Sequence, residues 1–141
     1  MNDFFILNKP YSFEVNPEFS GFIIFYKKSS VEKDAEIQLN LLNKLIQNAL
    51  KLSLEQFLLI DLNTQKVRLS DLRKSLVIKK CFLFGVNESE IGTNIVISKY
   101  KLNTVAEIQF LKADAPELLE QNKTLKNQLW EQLQIAFNLN S

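Results

Sequence analysis

KKCFLFGV, residues 79–86, sets four consecutive apolar residues between a basic pair and a glycine. A strand with one face in water alternates polar and apolar side chains, whereas an unbroken apolar run belongs to a strand covered on both faces. Two similar runs lie upstream, GFIIFY at residues 21–26 and QFLLIDL at residues 56–62. Between them the period changes. Over residues 35–52, Ile37, Leu41, Leu45 and Ala49 form one i, i+4 row, and Leu42, Ile46 and Leu50 form a second. The double row predicts a helix with a wide buried face. Ser29 and Glu32 ahead of it have the spacing of a capping box.

The same reading continues downstream. LSDLRKS (Leu69–Ser75) predicts a short helix with Ser70 near its start, and NESEIG at residues 87–92 a turn of the chain or a helical turn. NIVISKY at 94–100 and AEIQFLK at 106–112 predict two further strands. A final helix over residues 123–137 carries Leu125, Leu129, Leu133 and Phe137 on one row, with Trp130 beside them in the core. Apolar strands alternating with helices give an α/β domain of three layers, a mainly parallel central sheet with helices on both faces. Functional sites in such sheets gather at the carboxyl ends of strands. The loops in question are 27–30, 85–89 and 112–115.

The chain has 141 residues, 46% of them apolar and 23% charged, the size and composition of one globular domain. Its organisation reads as an aromatic N-terminal arm or edge hairpin over residues 1–19 and a single α/β domain over residues 20–141. The formal charge of +1 gives no global pull toward nucleic acid or an anionic membrane. No basic start and long apolar stretch opens the chain, and no apolar run reaches the length of a membrane span, so it reads as soluble and cytoplasmic.

Histidine is absent and Cys81 is the single cysteine. Zinc, iron–sulfur, Ser-His-Asp and Cys-His chemistries all draw on those residues, and the three glycines, at 21, 85 and 92, are too isolated for a phosphate loop. No cofactor, metal or catalytic residue is expected. The carboxylates Asp61, Glu88, Glu90 and Asp114 stand near strand ends, where they read as loop charges or helix caps, Asp114 being placed to cap the helix after Pro116. From Lys66 to Lys80, the cations Lys66, Arg68, Arg73, Lys74, Lys79 and Lys80 oppose Asp71 alone. They read either as solvated surface or as a phosphate-binding patch for nucleic acid. The arm residues Phe4, Phe5, Tyr11 and Phe13 suit either an edge strand or a segment that docks on a partner protein.

In this layout the order of elements resembles the uracil-DNA glycosylase fold. KKCFLFGV is similar to that family's mid-chain strand ending at a glycine turn, and APELLEQNKTLKNQLWEQLQ (residues 115–134) is similar to the segment after its His-Pro-Ser motif. The likeness covers most of residues 20–137. The catalytic positions depart from it. Lys27, Lys28, Ser29 and Ser30 stand where the glycosylases carry a Gly-Gln/Glu-x-Pro loop, and Asp114, Ala115 and Pro116 stand at the His-Pro-Ser position. On this resemblance Lys28, Ser29, Gly85 and Asp114 would line a vestigial cleft, without the groups that position water and stabilise an oxyanion. A non-catalytic family of the same fold, the psi subunits of bacterial DNA polymerase III clamp-loader assemblies, resembles the chain further. The likeness rests on LLNKLIQNALKLSLEQFLLIDL, with Leu-Ser-x-x-Gln between helix and strand, and on Leu129–Trp130. It implies a non-enzymatic adaptor whose arm docks on the clamp loader and whose body binds a chi-like subunit. The alternative it leaves is a catalytically inactive, nucleic-acid-binding domain.

Overall fold

The computed structural model describes residues 16–138. Phe4, Phe5, Tyr11 and Phe13 lie outside the described residues. Among the described residues five strands form one sheet: β1 (Phe22–Tyr26), β2 (Phe57–Asp61), β3 (Lys80–Phe84), β4 (Asn103–Val105) and β5 (Ile108–Ala113). The order across the sheet is β2-β1-β3-β5-β4, parallel except for β4, which pairs antiparallel with β5 through Val105 and Ile108. Phe22 is in register with Phe57 on one side and Lys80 on the other, so β1 is an interior strand.

Alternation along each strand sorts its side chains between two cores. Ile23, Phe25, Cys81, Leu83, Ile108 and Phe110 point to one face. Ile24, Tyr26, Phe82, Phe84, Leu111 and Ala113 point to the other. The first face is covered by α2 (Leu69–Ser75) through Leu69 and Leu72, by Ile91 of a short 3-10 helix (Glu88–Ile91), and by Val67, Ile78, Val86 and Ile97 from irregular segments. The second is covered by α1 (Glu32–Asn43), α3 (Pro116–Gln121) and α4 (Lys123–Ala136), through Leu41, Leu42, Leu119, Leu129 and Leu133. The expected α/β architecture is therefore present: a mixed, mainly parallel sheet with flanking helices. Among the described residues no helix is long and apolar enough to cross a membrane.

Several local expectations are corrected. The residue preceding α1 is Val31, not Ser29, and the Ser29 hydroxyl accepts from the Val31 amide (3.0 Å), closing a local turn ahead of the helix. Capping boxes form instead at Ser53–Gln56 and Asn87–Glu90. After Asn43 the helix widens into a π-helical segment, Lys44–Ala49, in which Leu50 donates to the Leu45 carbonyl five residues back (2.9 Å). The extra residue per turn leaves Ile46 buried but turns Leu45 and Ala49 to a half-exposed flank. NIVISKY forms no strand; a single bridge joins Lys99 to Lys112. Its alternation instead drives Ile97 into the core while Val96 stays 87% exposed. The Ile97 amide is held by the Glu88 carboxylate (2.6 Å) rather than by a neighbouring strand.

Residues 16–19, read with the arm, are tied to the body. The Asn16 side chain donates to Glu55 (3.2 Å), and Phe19 packs on the α2-face core.

Candidate functional site

The chain leaves β1 for β2 on one side, and passes from β3 to β5 on the other. Loops at the carboxyl ends of β1 and β3 therefore diverge, and a parallel sheet places its crevice there. The loops at 27–30, 85–89 and 112–115 do meet at this edge. Glu90, four residues after Val86, reaches Lys27 Nζ at 2.6 Å. Glu88 reaches Lys112 Nζ at 2.8 Å.

The crevice is filled by the chain itself. Gln38, on the sheet side of α1, is 1% exposed and is the one buried polar residue among those described. Its amide nitrogen donates to the Lys27 carbonyl and to Glu117 of α3, both at 2.9 Å, while its oxygen accepts from the Ser29 amide at 3.0 Å. A buried amide satisfied on both ends fixes the loop after β1 to two helices at once. The Lys28 amide is taken by Asp61 (2.8 Å) and its carbonyl by Asn63 (2.7 Å). Gly85, at φ +69°, turns the chain off β3 under Ala115, and a Cβ added there would meet the Ala115 Cβ at 2.9 Å. Glycine is required on both counts, conformation and space.

Of the four residues expected to line a cleft, Lys28 and Ser29 lie beside α1, and Gly85 lies under the start of α3. Asp114 is engaged elsewhere: it accepts from Lys99 (2.7 Å) and from the Tyr100 hydroxyl (2.5 Å). It does not cap α3, whose preceding residue is Ala115. These partners hold the Asp114 carboxyl below its ordinary range, the Lys99 bond first and the Tyr100 bond second. Burial, then Asp114, pushes the Tyr100 hydroxyl up to about 12. Burial alone would raise Glu88, but Lys112 and the Ile97 amide outweigh it and hold the carboxyl low. Glu90 is likewise lowered, against burial, by the Asn87 amide and Lys27. Asp61 accepts from the Asn63 amide as well (3.0 Å). All four carboxylates singled out by the sequence are thus committed to protein partners.

The basic run is spread over the molecule. Lys66 lies beside Leu62, Ser89 and Glu90 at the carboxyl edge. Arg68 packs against Gly92. Arg73 and Lys74 are exposed at the end of α2, Lys74 reaching Asp71 at 3.4 Å. Lys79 contacts Gly21 at the amino edge. Lys80 crosses to the opposite face, where it donates to Gln109 (2.6 Å) and sits 5.2 Å from the Phe137 ring centroid. Burial, with Lys79 adding to it, lowers the Lys80 pKa. The six cations therefore divide between two edges and two faces of the sheet.

The amphipathic row of α4 predicts Trp130 in the core. It packs only partly there and lines a groove of about 600 Å³ between α1 and the α3–α4 corner. Leu41, Leu45 and Ala49 form one wall, Leu129 and Trp130 the other, with Lys123 and Lys126 at the rim. The π-helical segment makes this wall by turning Leu45 and Ala49 outward. Two features escaped the sequence reading, Gln38 and its partner Glu117. A signal for Gln38 was present, since a polar residue three positions after Ala35 and four before Leu42 falls on the apolar side of α1.

Among the described residues no group of three or more His, Cys, Asp or Glu is placed to hold a metal ion. Cys81 is fully buried, and burial pushes its thiol far up. No protein-family model matches the chain, and a search of curated proteins finds no relative.

Proposed function

We propose that the chain is a non-enzymatic protein–protein adaptor with a glycosylase-like α/β body, acting as a psi-like accessory subunit of a replicative polymerase clamp loader. The observation that carries this reading is the filled crevice. A flipped base or a small substrate entering at the carboxyl edge would have to displace Gln38, 1% exposed, and break its three hydrogen bonds. In the same domain the groove beside Trp130 keeps an apolar wall open to solvent. Apolar surface of this kind serves macromolecular contact. The mainly parallel sheet with helices on both faces supports a glycosylase-like body, and the likeness in residues 41–62 and 115–134 supports the psi-like assignment. The dispersion of the basic run weighs against a nucleic-acid interface.

The test is affinity capture of the tagged chain from its native cell at moderate salt after nuclease treatment. Clamp-loader, chi-like or single-strand-binding proteins are expected among the captured partners. A chain lacking residues 1–15 should lose the clamp loader and keep the partner of the body. Capture that depends on intact nucleic acid, with affinity falling steeply as salt is raised, would replace this reading with the nucleic-acid-binding one.

A further inference from the structure

The groove beside Trp130 runs between helices, away from the filled crevice. Leu41 and Leu129 line it from the core, while Leu45, Ala49 and Trp130 are half-exposed along it. The π-helical turn is what brings Leu45 and Ala49 to this surface, and such widenings are often kept where a helix has a function to serve.

The walls restrict what can lie there. A helix bonds its own amides and carbonyls, so a groove between helices offers side chains and no row of free backbone groups. A strand laid in it would leave its own backbone unpaired on that side, whereas a helix brings its backbone already satisfied. Leu41, Leu45 and Ala49, four residues apart, form a ridge of the kind that interdigitates with the side-chain rows of a second helix. The ridge is about 12 Å long, roughly two turns of a partner.

The rim selects the sign of its charge. Glu120 is the one carboxylate lining the groove among the described residues, and Lys126 already takes it, at 3.5 Å. Lys123 on the α4 side and Lys44, exposed next to Leu45, have no carboxylate within ion-pair distance among the described residues. One cation is left over on each side.

We propose that this groove docks an amphipathic helix of a partner protein. An apolar row at i, i+3, i+4 and i+7 seats on Leu45, Ala49 and Trp130, and acidic residues beside the row face Lys44 and Lys123. The inference rests on the adaptor reading and names the chemistry of the partner that the body holds.

Trp130 is the only tryptophan in the chain, so the emission of the full-length protein reports on the groove directly. The probe is a synthetic helical peptide of about 15 residues with leucines in that row, glutamates beside it and no tryptophan. One control peptide carries lysine for each glutamate, and another has the leucines scrambled. The acidic peptide is expected to shift Trp130 emission to the blue, saturably, and to move the Leu45 and Ala49 amide resonances. The double variant Lys44→Glu, Lys123→Glu, altered only at exposed side chains, should bind it at least about fivefold more weakly and should bind the lysine peptide more tightly. No saturable shift, equal binding of the acidic and lysine peptides, or equal binding of the scrambled one overturns the proposal. Nuclear Overhauser contacts between Trp130 and residues 1–15 in the free chain also overturn it, since the chain itself would then be the occupant. Peptide failure removes the groove as the contact, and recovery of clamp-loader proteins in affinity capture would still uphold the adaptor reading.

Discussion

The two faces of the sheet are covered by different means. On one, α1 and α4 lay long apolar rows over Phe82, Phe84 and Leu111, and Gln38 is the one polar side chain buried among the described residues. On the other, α2 is only seven residues long, and the rest of the cover is one 3-10 turn ending at Ile91 and irregular chain carrying Val86 and Ile97. Helices satisfy their own backbone; irregular cover cannot, and must borrow partners. Here it borrows Glu88 for the Ile97 amide, Glu90 for the Asn87 amide and the Thr93 hydroxyl for the Ile95 amide. One face rests on packing, the other on packing held in place by ionised side chains.

That contrast can be broken from either side. The largest effect is expected on the helical face. Leu42 is 0% exposed, and Leu42→Ala should cost about 3 kcal/mol in urea unfolding. On the irregular face Glu88→Ala should cost about 2 kcal/mol, by leaving the Ile97 amide and Lys112 without their acceptor. The same variant should speed amide exchange more at Ile97 than at Leu42, whereas Leu42→Ala should raise exchange throughout.

Acid should separate the faces without mutation. Glu88 and Glu90, in the irregular cover, have carboxyls held low in the folded chain. Their contribution is complete above the ordinary carboxylate range, near pH 4, and is lost as pH falls through the lower folded values. Below about pH 4, exchange at Ile95 and Ile97 should rise before Trp130 fluorescence, which reports the helical face, changes. Coincident transitions would show that the two covers are a single unit. The smallest effect is at Val96: with 87% of its surface exposed, Val96→Ser should shift stability by less than about 0.5 kcal/mol, although it stands beside the buried Ile97.

The same division governs what could be read from the sequence. Residues 22–26, 57–60 and 81–84 announce their strands because burial on both faces leaves no polar interruption, and 108–113 does so although Gln109 and Lys112 interrupt it. Helix α4 announces itself because Leu129 and Leu133 repeat at helical spacing over one face. Where the backbone depends on a side chain distant in sequence, local pattern misleads. NIVISKY has a strand's alternation, yet its amide partner is a carboxylate at residue 88. At the carboxyl edge the sequence located the three loops that meet there. It did not foresee that Gln38 and Glu117, from helices far apart in the chain, would close the space between them. Ser29 and Glu32 had the spacing of a cap, but the turn closed by Ser29 moved the helix start to Glu32.

The register of the sheet also constrains the order in which it can form. Each parallel contact joins distant segments, since Phe22 meets Phe57 and Lys80, and Phe82 meets Leu111. A long loop must close before any of these pairs gives a return, which slows folding. The exception is the hairpin of β4 and β5, whose two turn residues, Ala106 and Glu107, adopt φ of 51° and 68°. These are the left-handed values that a tight two-residue turn requires, here without glycine. Among the described residues, the one strand pairing available to a nascent chain on a microsecond scale is therefore also the one with strain in its turn. The apolar strands that define the domain must wait, exposed, for partners still far away along the chain, and the time they spend waiting is when a chaperone would matter most.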